Sequence, residues 1–162
     1  MANVTFDKHV AFCEKYMAEV DKTISTLYRE GTTKEALAHA NALHSIRREF
    51  AAWVTDDIGL KLSPFEDALR KIGAWQGFIE TTNGHPAYAN QRMERIHFVH
   101  NTLLKVLGLP PSEPDSTKTS EIDEHVSEEV VKTRVREILD IESLVKLRKG
   151  LIKEACSYIG NA

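Results

Sequence analysis

Apolar residues open the chain at Phe6, Val10, Cys13, Met17, Val20, Ile24 and Leu27, separated alternately by four and three positions. That is the a/d rhythm of a helix burying one stripe, and it predicts a helix from about Thr5 to Arg29, ended by Gly31. Lys8, Glu14, Lys15, Glu19 and Asp21 fall off the stripe and face water. Thr32 and Glu35 stand at capping-box spacing, so a second helix starts there, with the stripe Ala36, Ala40, Leu43, Ile46, Phe50, Trp53. It fades near Asp56-Asp57-Ile58-Gly59. Ser63-Pro64-Phe65-Glu66 reads as the next start: an N-cap serine, a proline at the first helical position, a glutamate at the third. The third helix then shows Phe65, Leu69, Ile72, Gln76 and Ile79, widened by Ala68, Trp75 and Phe78, until Asn83-Gly84 and Pro86 close it. A fourth stripe, Ala89, Met93, Ile96, His100, Leu103, Leu107, stops at Gly108 before Pro110-Pro111.

Four amphipathic helices on short turns bury their faces most simply in an up-down-up-down bundle, so the expected fold is all-α, with the four-helix bundle at 1–109. Residues 110–120 have three prolines and no apolar side chain, which predicts a flexible linker. Beyond it, 121–162 reads as a C-terminal helical arm. Ile122, Val126, Val130, Val131, Val135, Ile138 and Ile141 make one apolar face, and Leu144, Leu147, Leu151, Ala155 and Tyr158 another, with a break expected near Asp140. Such an arm either folds back on the bundle or pairs with a second chain.

Charge narrows the choice of partner. The net charge is −3, without the basic excess that non-specific nucleic-acid binding needs. Residues 1–108 carry 13 basic and 13 acidic side chains, so the acidic excess belongs to the tail. Two distant cysteines, Cys13 and Cys156, suit reduced thiols, the start lacks an apolar leader, and no stretch is long and apolar enough to span a membrane. A cytoplasmic protein is expected.

Histidine is the residue type that stands out. His97 and His100, three apart, point to roughly one side of the fourth helix; His44 borders the second stripe; His9 lies one turn before Cys13. A bundle interior gathering His44, His97, His100, His9 and Cys13 would suit zinc. A ferritin-like di-iron centre needs two Glu-x-x-His pairs, and only Glu94/His97 is present. His39 and His44, five apart, point roughly 140° away from each other, which suits no hemerythrin-like site.

Three of these features fall within Leu43–Leu107: His44, the Gly-x-Trp of Ile72-Gly73-Ala74-Trp75, and the pair His97/His100. The stretch resembles the chemoreceptor zinc-binding (CZB) domain of bacterial chemoreceptors and some diguanylate cyclases. That family is a four-helix bundle with an early histidine, a Cys-x-Leu/Phe-Gly-x-Trp motif and a final His-x-x-x-His. The resemblance implies zinc on His44, His97 and His100. Arg70 occupies the motif cysteine's position and the last pair is one residue short, so Cys13 or His9 would have to stand in, from outside the family's pattern.

No phosphate-cradling glycine loop, Gly-x-Ser-x-Gly or His-Glu-x-x-His occurs, so an enzyme with a pocket inside the bundle ranks third. Gly73 and Gly77 cost about 2 kcal/mol relative to alanine inside a helix, which predicts a close neighbour there. The expected function is a non-enzymatic helical interaction or regulatory module that self-associates through the first or the C-terminal helix, as a homo-oligomer, or partners another helical protein. A zinc-binding sensory bundle is the alternative.

Overall fold

The first stripe forms helix α1 (Ala2–Glu30), which stops where Gly31 takes φ +70° and its amide bonds back to the Leu27 carbonyl. The computed structural model describes residues 2–106, 124–146 and 149, with side chains for 4–106, 129–146 and 149. The expected linker at 110–120 and the end of the arm, including Cys156, lie outside them. All elements among the described residues are helical, and together they make an all-α bundle.

The face that α1 buries is wider than the seven-residue stripe. Phe12, Tyr16 and Thr23 are buried beside Cys13, Val20, Ile24 and Leu27, whereas Phe6, Val10 and Met17 are half-buried. Two helices cover α1, and a helix with two neighbours needs more than a single seam. One neighbour is α2 (Glu35–Glu49), which buries Ala36, Ala40, Leu43 and Ile46. Its expected capping box does not form: Thr33 Oγ1 accepts from the Glu35 amide, and Thr32 turns its hydroxyl to Gln76. The helix is also shorter than its stripe, because Phe50 caps it and Trp53 packs from the following turn.

The third helix departs most from expectation. α3 (Asp56–Thr81) begins seven residues before Ser63, with Thr55 at its N-cap and Asp56 and Asp57 in its first turn, where carboxylates favour the helix dipole. Pro64 therefore sits inside the helix. It lies on the exposed side of the helix, the position where a missing amide donor is least costly. Gly84 at φ +83° and a 3-10 turn (Pro86–Tyr88) then reverse the chain into α4 (Ala89–Val106).

Successive helices pack as antiparallel neighbours, α1 on α2, α2 on α3 and α3 on α4. α5 (Glu124–Ile138) contacts both α1 and α3. Val131, Val135 and Leu139 are buried, Lys132 pairs with Asp21 at 3.1 Å, and the Cys13 thiol points at the Leu139 carbonyl, 3.9 Å away. The described part of the arm thus lies antiparallel along α1. It breaks at Leu139–Asp140, where Asp140 adopts φ 51°, and is helical again at 141–146. No helix among the described residues is long and apolar enough to cross a membrane.

Candidate functional site

Among the described residues, Glu66 in the middle of α3 is the one acidic or basic side chain with 0% exposure. Because α3 starts at Asp56, position 66 falls on the inward face with Leu62, Leu69, Ile72 and Gly73, and so has no capping role. A bare carboxylate there would be prohibitively costly, and donors from two other helices answer it. Arg47 of α2 donates from Nε to Oε1 at 3.0 Å and from Nη2 to Oε2 at 2.9 Å, the planar fork that matches a carboxylate. Tyr16 of α1 donates its hydroxyl to Oε1 at 3.2 Å. His44 of α2 brings Nδ1 to 3.3 Å from Oε2 and to 3.1 Å from Arg47 Nη2, so without a proton it accepts from Arg47, and with one it donates to Glu66. Arg70, one turn beyond Glu66, adds charge at 3.8 Å and is held in turn by Asp67 at 2.7 Å.

The electrostatics follow from this geometry. The hydrogen bond to Glu66 raises the pKa of Arg47 above the ordinary guanidinium value. Burial, then the Glu66 charge, pushes the Tyr16 phenol well above its ordinary value, because its anion would form in an apolar site beside a carboxylate. Both carboxylate oxygens are engaged in a fully buried site, an arrangement better suited to joining helices than to meeting a substrate. The arrangement can lock three helices in register.

The five residues expected as metal ligands stand in different parts of the fold. His44 belongs to the Glu66 network. His9 Nδ1 lies 3.4 Å from the Trp53 carbonyl. Cys13 is buried against α5, and that burial pushes its thiol up to about 11. His97 and His100 are exposed on α4. No three His, Cys, Asp or Glu side chains among the described residues are grouped to hold one metal ion.

α4 itself is rotated from the expected stripe. Val99, Leu103 and Leu104 are buried, while Met93 is 55% exposed, Ile96 is 41% exposed and His100 faces outward. The cause is an aromatic stack on α3. The Arg95 guanidinium lies 3.7 Å over the Trp75 ring and 4.0 Å over Phe78, and Phe98 packs 5.8 Å from Trp75. Turning Arg95 and Phe98 toward α3 swings Met93, Ile96 and His100 outward by roughly a quarter turn of an ideal helix.

A half-open cavity of about 320 Å³ lies between α1 and the turn after α5, lined by Phe6, Val10, Met17, Ile141 and Leu144 and bordered by Glu14, Asp21 and Arg136. The Cys13 thiol also lines it, near the Glu14 and Asp21 carboxylates, and burial pushes that thiol up to about 11, away from the reactive thiolate. Comparison of the chain with known families, with curated proteins and with solved structures found no match to any of them.

Proposed function

We propose that this protein is a non-enzymatic helical interaction module that self-associates through the outward flank of α4. One observation carries the reading: Met93, Ile96 and His100 keep the three-four spacing of a helix seam and yet face solvent. α1 and α5, the seams the sequence pointed to, pack against each other, with Val131 and Val135 of α5 buried. The occupant is a second copy of the chain. Along the exposed side of α4, Glu94 comes first and His97, His100 and Lys105 follow, while Arg92 and Arg95 are turned to the Thr82 carbonyl and the α3 rings. Two antiparallel α4 helices would therefore set the acidic end of each beside the basic end of the other. The engaged state of Glu66 supports a structural over a catalytic role for the core, and the free Cys13 thiol fits a reducing cytoplasm.

Light scattering of the full chain against a Met93→Glu/Ile96→Glu variant tests this. The wild type is expected to dimerise and the variant to remain a monomer. The variant's thermal melt should be little changed, since exposed substitutions shift stability by only about 0.5 kcal/mol. A wild type that stays monomeric at every concentration overturns the proposal.

A further inference from the structure

Four of the histidines whose side chains are described have partners: His9 the Trp53 carbonyl, His39 Glu19 at 2.9 Å, His44 Glu66, and His85 the Tyr88 ring. His97 and His100 are different. Both are exposed, and neither has a hydrogen-bond, ion-pair or ring partner among the described residues. They stand three positions apart, which on a helix brings their Cβ atoms to about 5–6 Å and lets both imidazoles reach one ion. Together with Met93 and Ile96 they occupy an arc of about 100° on an ideal helix.

We propose that this arc is half of a zinc site, completed by the same two histidines of a second copy. The inference rests on the self-association through α4 argued above and adds to it a ligand. A structural zinc takes four nitrogen or sulfur ligands in a tetrahedron, and one chain offers two here. A two-fold axis passing beside His97 and His100 doubles two ligands to four and closes the coordination shell with no third residue type. The antiparallel pairing suggested by Glu94 and Lys105 sets His97 of one copy opposite His100 of the other. Met93 and Ile96 border the same ground and would exclude water from the ion, which strengthens its hold on neutral imidazoles. This site lies outside the bundle and between chains, so His44, His9 and Cys13 have no part in it.

The test uses the full chain, stripped with EDTA and then titrated with zinc chloride. Light scattering reads the mass, and competition with a chromophoric chelator reads the stoichiometry. Wild type is expected to bind one zinc per two chains and to dimerise roughly tenfold or more tightly with zinc than without. Cobalt in place of zinc should give the visible absorption of a tetrahedral site. A His97→Ala/His100→Ala variant loses zinc uptake, and its dimer constant, whatever its metal-free value, no longer changes when zinc is added. Dimers in EDTA that zinc leaves unchanged would overturn the zinc site and leave the α4 interface standing. Monomers in EDTA that zinc turns into dimers would uphold the site and show that the apolar flank is insufficient alone. One zinc per chain, or monomers with and without zinc, sinks the inference.

Discussion

On one side α3 meets α2 across a seam in which nearly every position is specified; on the other it meets α4 through a stack of rings that leaves apolar residues in water. At Gly73 a Cβ would lie 2.5 Å from the Leu37 backbone nitrogen, so the two helices touch backbone to backbone. One and two turns nearer the start of α3, Leu69 is buried and Glu66 takes the Arg47 fork. Across the α4 side, Arg95 lies over Trp75 and Phe78, while Met93 and Ile96 stay exposed. The first seam tolerates one register and one separation. The second orients a helix and leaves a flank uncovered.

The sharpest way to break the α2 side is Arg47→Ala. It leaves the Glu66 carboxylate buried with only Tyr16, His44 and the more distant Arg70, and removing one member of a buried pair costs about 3–5 kcal/mol. Urea denaturation should show that loss, and a change under 1 kcal/mol would mean that the seam does not depend on the ion pair.

Next in size is Gly73→Ala. The added methyl meets backbone, so the helices must move apart, at about 1–3 kcal/mol. Gly77, one turn on, is the control: a Cβ there meets nothing within 4 Å, so Gly77→Ala should stabilise by about 0.5–1 kcal/mol. Thermal melts of opposite sign for two glycines four residues apart would locate the close contact.

Among the destabilising changes the smallest is expected from Tyr16→Phe, at about 1 kcal/mol near neutral pH for one lost hydrogen bond. Its signature lies in alkali. The folded state raises the Tyr16 phenol pKa, so it keeps that proton while the unfolded chain loses it, and stability falls as pH rises above the ordinary phenol value of 10.0. Cys13 acts in the same direction between 9.0 and about 11. Melts from pH 8 upward should therefore fall less steeply for Tyr16→Phe than for wild type, and parallel curves would refute the assignment.

Much of this fold can be read from periodicity. The stops at Gly31 and Gly84, the stripe of α2 from Ala36 to Ile46 and the break at Asp140 all correspond to observed features. Glu66 escaped because Ser63-Pro64 imitates a helix start and gives the glutamate a local role. The signal that reveals it is Leu62, Glu66, Leu69 and Gly73 at heptad spacing, visible once the helix is taken back to Asp56. Histidine spacing marked out His97 and His100 as a pair and the stripe turned them toward the bundle interior, whereas the structure turns both to water.

By itself, then, the sequence determined what is local: helices whose apolar spacing matches 3.6 residues per turn, and turns where glycine takes a positive φ. Only the tertiary structure decided which face of each helix is used. Arg95 finds its rings only once α3 lies beside α4, and Glu66 can be buried only once Arg47 and Tyr16 arrive from α2 and α1. Those are contacts between residues 17 to 50 positions apart, and a pattern read along one helix holds no term for the partner that rotates it.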